Sequence, residues 1–119
     1  MSSFETARRI AHEFPGVEDG TSYGTPALKV RGALIARLQE DGKTLVLKCT
    51  FVDRDLLIRD APDTYFCTDH YRNYEWVLVH LARIRAPELR ERLEEAWRRA
   101  APKSLLAAPR TQPRPRQRP

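Results

Sequence analysis

The chain has 119 residues, of which 41% are hydrophobic and 31% charged, one domain's worth of an ordinary globular composition. No apolar run approaches the roughly 20 residues that span a bilayer, and the opening "MSSFETARRIAHEF" has no signal-peptide core; a cytoplasmic protein with no membrane partner is expected. The formal charge of +5 invites a nucleic-acid partner, but Arg110, Arg114, Arg116 and Arg118 sit in the last eleven residues with no acid among them, so the rest of the chain is close to neutral.

"SSFETARRIAHEFPG" predicts a first helix. Phe4, Ala7, Ile10, Ala11 and Phe14 recur at helical spacing, Ser2 or Ser3 is placed to cap the N-terminus, and Pro15-Gly16 stops it. "VEDGTSYGTP" reads as a loop of turn formers. Three short strands follow. "ALKV" meets "ALIARLQ" across Arg31-Gly32, and "ALIARLQ" meets "KTLVLKCT" across Asp41-Gly42, a hairpin signal. Alternation puts Leu28, Val30, Leu34, Ala36, Leu38, Leu45, Leu47 and Cys49 on one face. Lys29, Arg37 and Lys48 fall on the other, with Ile35 and Val46 among them, which predicts a sheet covered on a single side.

"DRDLLIRDAP" predicts a short helix with Asp53 as N-cap and Pro62 as its end, and "TYFCT" a fourth strand. "EWVLVHLARI" is a fifth strand, apolar on both faces and therefore interior. "APELRERLEEAWRRAAPKSLLAA" opens a final helix with Pro87 in its first turn; Leu89, Leu93, Ala96, Trp97 and Ala100 form its buried stripe, and Pro102 closes it. Residues 1–108 make a single domain, and the Pro/Arg-rich residues 109–119 are expected to be disordered because they offer no apolar surface to bury. The predicted architecture is a two-layer α/β sandwich (α+β): a mainly antiparallel five-stranded sheet with helices on one face, in the order α-β-β-β-α-β-β-α.

Candidate chemistry is sparse. Cys49, Cys67, His70 and His80 lack the paired ligand spacing of structural zinc, so neither metal nor cofactor is expected. "GTSYGTP" lacks the lysine of a phosphate loop and the strand before it. His70 lies in a loop beside Asp69, Tyr71 and Arg72, but adjacency in sequence does not make an acid–base pair. A non-enzymatic protein is expected.

Three pieces of sequence carry a resemblance: the Ser22-Tyr23-Gly24-Thr25-Pro26 turn with Lys29 after it, the His70-Tyr71 turn leading to Trp76-Val77, and the "AW…APK" end of the last helix. In that order, over about Phe4 to Leu106, the chain resembles the MmcQ/YjbR family of small bacterial proteins. It departs from the family pattern at Asp69, Asn73 and Glu75. The resemblance implies a two-layer fold like that of secretion chaperones and related to frataxin-like folds, and it implies DNA binding through hairpin "wings". Their counterparts here are the hairpins around Arg31-Gly32 and Asp41-Gly42 and the turn from His70 to Tyr74.

The expected partner is therefore DNA, its phosphates contacted by Lys29, Arg31, Arg37, Lys43, Lys48 and Arg72. The alternative is a binding module for a small molecule or protein partner, with a pocket formed by the "GTSYGTP" and "DHYRNY" loops and lined by Tyr23, Thr25, His70, Tyr71 and Tyr74. A concave apolar site with convergent polar groups favours the second, and a flat basic face favours the first.

Overall fold

A computed structural model describes residues 2–107; the tail expected from residue 109 lies outside the described residues. Helix α1 (Phe4–Ala11) starts at a capping box in which the Ser3 hydroxyl accepts from the Thr6 amide and the Thr6 hydroxyl from the Ser3 amide. It buries Ala7, Ile10 and Ala11. Four strands follow without interruption: β1 (Val17–Ser22), β2 (Thr25–Val30), β3 (Ala33–Leu38) and β4 (Thr44–Lys48). After α2 (Phe51–Asp60) come β5 (Tyr65–Phe66) and β6 (Trp76–His80), then α3 (Ala86–Ala100) and a one-turn α4 (Lys103–Leu106). The strands form one sheet in the order β1-β2-β3-β4-β6-β5, every pair antiparallel. Among the described residues no helix is long and apolar enough to cross a membrane.

The α+β class and the antiparallel sheet agree with the sequence; the strand count and element order do not. The sheet has six strands where five are expected, because "VEDGTS" is an edge strand and not a loop. Only Val17 of β1 is buried, so the segment carries almost no apolar alternation to betray it. Its hairpin to β2 closes on Tyr23 and Gly24, both at positive φ (53° and 80°). That is the backbone of a two-residue hairpin turn that strands of normal twist favour. Arg31 and Gly32 (50° and 84°) repeat it between β2 and β3. Two smaller corrections concern α2 and β6. The cap of α2 is Thr50, whose hydroxyl accepts from the Asp53 amide, and not Asp53 itself. Strand β6 ends at His80, where a 3-10 turn over Leu81–Arg83 takes over.

Partners across the ladders share a face, so rows of residues can be followed across the sheet. Leu28, Ala36, Leu47 and Val77 make one row, on the face covered by α1 and α3. The main core closes there over Leu89, Leu93, Ala96 and Trp97 of α3. The Trp97 ring stacks on Phe14 at 5.6 Å, and its Nε1 donates to the Pro15 carbonyl at 2.8 Å, so the stop of the first helix is anchored to the last.

The opposite row runs Gly20, Ala27, Arg37, Val46, Leu78, Phe66 through all six strands. It is not the water-facing layer that alternation predicts. A second, smaller core of Val46, Leu78 and Tyr71, flanked by Phe66, Cys67 and Trp76, forms on it. The segment after β5, with a 3-10 turn at Asp69–Tyr71, folds back over this side of the sheet. The register adds one more change. Leu28 pairs with Ala36 but Lys29 pairs with Leu34, leaving Ile35 as the extra residue of a β-bulge. Ile35 therefore joins the main core, and Leu34 opens onto the helix-free side, the reverse of the simple alternation.

Candidate functional site

A cleft lies on the helix-free side, between the β1–β2 turn and the returning segment after β5. Its volume is about 280 Å³. Leu34, Val46 and Trp76 of the sheet form its base with Arg37 among them; Tyr23 stands on one side, and His70, Tyr71 and Tyr74 on the other. A second lobe of about 320 Å³ shares Tyr23, Arg37, His70 and Tyr71 and extends to Gln39, Glu40 and Thr68. The cleft is mostly aromatic and apolar, with few polar groups, the usual make-up of a small-molecule site.

Arg37 is the chemical centre of this surface. It interrupts an otherwise apolar row and is only 4% exposed. A charge so far from water must be paired and hydrogen-bonded. Its Nε donates to Thr25 Oγ1 at 3.3 Å, Nη1 to the Tyr71 phenol oxygen at 3.0 Å, and Nη2 to Glu40 Oε2 at 3.1 Å. Its Cζ lies 5.2 Å from the centre of the Tyr23 ring, within cation–π range. The guanidinium thus ties together the two loops and the β3–β4 turn.

The loop wall is held from beneath by Arg54 of α2, also buried. Its Nη1 shares its protons among the carbonyls of Tyr71, Tyr74 and Trp76 (3.2, 2.9 and 3.3 Å), and Nη2 donates to the Arg72 carbonyl at 3.1 Å. Its Cζ also lies 5.1 Å from the centre of the Phe51 ring. At the other edge of the cleft, Lys48 Nζ sits 5.1 Å from the centre of the Trp76 ring.

Of the expected pocket residues, Tyr23, His70, Tyr71 and Tyr74 line the cleft, and Thr25 reaches it through Arg37. The six expected phosphate contacts do not form one basic layer. Arg37 is buried and paired with Glu40, and Arg72 is paired with Asp69. Lys43 is at the β3–β4 turn, the opposite end of the sheet from Arg31. Lys29 lies across from Glu18, its stem over Gly20. His70 packs edge-on against Tyr71. His80 is exposed at the end of β6 and stacks on Phe66 at 4.3 Å. Cys49 is in the main core, where burial pushes its thiol up to about 11. Among the described residues no group of three or more His, Cys, Asp or Glu side chains could hold a metal ion.

Leu34, Glu40, Val46, Arg54 and Trp76 belong to the site and were not among the residues expected to form it. Trp76 carried a signal, since an aromatic at a strand mouth beside a polar loop commonly meets a ligand or packs the loop. Arg54 carried none: four carbonyls of a distant loop cannot be read from a helix sequence.

A family model described as YjbR matches residues 12–99. The uncharacterised proteins Rv2570 of Mycobacterium tuberculosis and Mb2600 of Mycobacterium bovis are each 48% identical over 52 residues, 44% of this chain. The match spans 40% of the length of those relatives. Among solved structures, the crystal structure of Deinococcus radiodurans protein DR2400, with family-model domain DUF419, superposes with a TM-score of 0.69 at 22% identity, over 82% of this chain and 77% of that one. At that identity the likeness speaks for the fold.

Proposed function

The chain belongs to the YjbR family, and from that membership and the cleft just described we propose that it is a cytoplasmic binding module that takes a small molecule on the helix-free side of its sheet. The observation that carries this reading is Arg37: a buried guanidinium placed where a concave, aromatic surface meets two loops. Burying a cation costs free energy, and a fold that only needed a sheet would fill that row with an apolar side chain at no loss of stability. The proposed role is recognition without chemistry. His70 packs against Tyr71, and among the described residues it makes no hydrogen bond to an acid or a nucleophile.

Amide chemical-shift mapping with a panel of small aromatic compounds tests the reading. Shifts converging on Tyr23, Arg37, His70, Tyr71 and Tyr74 are expected. Shifts scattered over α1 and α3, or none at all, would overturn it.

DNA binding is a second reading, supported by one observation. Lys29, Arg31 and Lys48 lie toward the end of the sheet marked by the β2–β3 turn, and none of the three forms an ion pair among the described residues. Duplex binding measured against salt separates the two readings. Counterion release gives a log–log slope of about −0.9 per phosphate neutralised. Binding that persists with such a slope in a chain ending at Ala108 favours DNA; binding lost with residues 109–119 assigns it to the arginine-rich tail.

A further inference from the structure

The charge balance around Arg37 is lopsided. Its nitrogens are buried, yet Glu40, its one anionic partner among the described residues, has a side chain 71% exposed. Glu40 follows Arg37 by three residues and reaches back from the β3–β4 turn along the second lobe of the cleft. A guanidinium has five N–H donors in a fixed fork that suits an oxyanion on two of them at once. Here three donors are bonded, to Thr25, Tyr71 and Glu40, and each Nη keeps one to spare. An exposed carboxylate pairing by a single bond is held weakly. It fills the place of an anion without the geometry of a good one.

Tyr23 is the second unusual feature. It is 83% exposed and stands at the first position of a two-residue turn with φ at 53°. That position favours asparagine, aspartate or glycine, and a tyrosine there holds a backbone conformation that its Cβ disfavours. Strain of this kind persists where something else is gained. What this turn gains is a ring standing over Arg37 at the open side of the cleft, with almost no protein packed on its outer face. Tyr74, 60% exposed, stands among the opposite walls.

We propose, resting on the cleft reading above, that the ligand is a flat aromatic ring carrying an oxyanion, and that this anion takes the place of Glu40 on Arg37 while Tyr23 covers the ring. Glu40 then acts as a resident competitor that keeps the buried cation paired when the cleft is empty. The β3–β4 turn can release it freely, because the carboxylate is already mostly in water.

Three probes of similar simplicity test this: benzoate, its neutral analogue benzamide, and acetate, which has the charge but no ring. Arg37 is too buried for a clean substitution, so the variants are Glu40→Gln and Tyr23→Asn, both at exposed sites. Titrations followed by amide shifts are expected to rank benzoate above both other probes. Glu40→Gln should bind benzoate up to about fivefold more tightly, the scale of one exposed ion pair removed from competition. Tyr23→Asn should bind it roughly three- to tenfold more weakly, the scale of one lost ring contact, and remain folded by circular dichroism. Equal or weaker benzoate binding by Glu40→Gln overturns the displacement. Benzamide binding as tightly as benzoate overturns the anionic ligand class and leaves the cleft reading standing. If none of the probes shifts Tyr23, Arg37 or Tyr71, both fall together.

Discussion

Arg54 fixes Tyr71 through the backbone: 17 residues apart in sequence, the two meet where Arg54 Nη1 donates to the Tyr71 carbonyl at 3.2 Å. The same guanidinium holds the carbonyls of Arg72, Tyr74 and Trp76. The loop wall of the cleft has little regular structure of its own, so this one side chain supplies the hydrogen bonds a strand would otherwise give it. The Tyr71 hydroxyl, in turn, faces Arg37. Two buried arginines therefore set the wall, one from beneath and one from the sheet.

Replacing Arg54 by methionine keeps the length of the stem and removes every donor. The expected cost is about 2–3 kcal/mol of stability, the scale of a charged hydrogen-bond network left unsatisfied. Hydrogen exchange gives the sharper readout. Amides of Tyr71, Arg72 and Tyr74 should exchange faster by much more than those of α1. Uniform acceleration through the whole chain would mean that Arg54 supports the core and not the loop.

Asp41 sets the β3–β4 turn that carries Glu40. Its Oδ1 accepts from the amides of Lys43 (2.8 Å) and Thr44 (3.0 Å), and Oδ2 from the Thr44 hydroxyl (2.8 Å). These bonds, first the one from the Lys43 amide, hold its carboxyl below the ordinary 3.8. A carboxyl depressed on folding adds stability that is complete above its unfolded pKa and is lost as the pH falls through the lower folded value. Asp41→Ala should therefore cost about 1 kcal/mol at neutral pH, the size of a lost side-chain cap. The gap between parent and variant should begin to narrow as the pH falls through about 3.8 and close only beneath the lower folded value. A gap that persists at acid pH would mean the turn does not depend on the ionised carboxylate.

The two thiols should react very differently. Cys49 is buried in the main core and its thiol is pushed up to about 11, so almost none of it is thiolate at neutral pH. Cys67 is half-exposed on the helix-free side. Iodoacetamide at pH 7.5 on the folded protein, read by peptide mass spectrometry, should label Cys67 and leave Cys49 unmodified until denaturant is added. Equal labelling of both would show that the core opens near Cys49.

What the sequence made legible was whatever depended on local pattern. A cap at Ser2 or Ser3, the stripe Leu89, Leu93, Ala96, Trp97 and Ala100, and an interior strand within "EWVLVHLARI" all follow from spacing; the cap falls on Ser3, Ala100 is only partly buried, and the strand is the shorter Trp76–His80. Strand β1 escaped because an edge strand with one buried residue has no period to read. Leu34 and Ile35 exchanged faces because a single bulge residue puts the positions before it out of phase with those after it. Arg37 was read as a water-facing basic residue because alternation reports only which side of the sheet a residue takes. Whether that side is covered depends on a loop some 34 residues later folding back to place the Tyr71 hydroxyl against it. The family resemblance located the two loops of the cleft, and only the three-dimensional arrangement set Arg37 between them.

Two tryptophans give the account its most direct test, since one lines the cleft and the other is sealed in the main core. In protein labelled with 5-fluorotryptophan, Trp76 and Trp97 give separate fluorine resonances, and benzoate is titrated into the sample. The Trp76 signal should move and saturate while that of Trp97, with its Nε1 bonded to the Pro15 carbonyl, stays still. If neither signal moves, or both drift together without saturating, the helix-free side does not bind an aromatic anion.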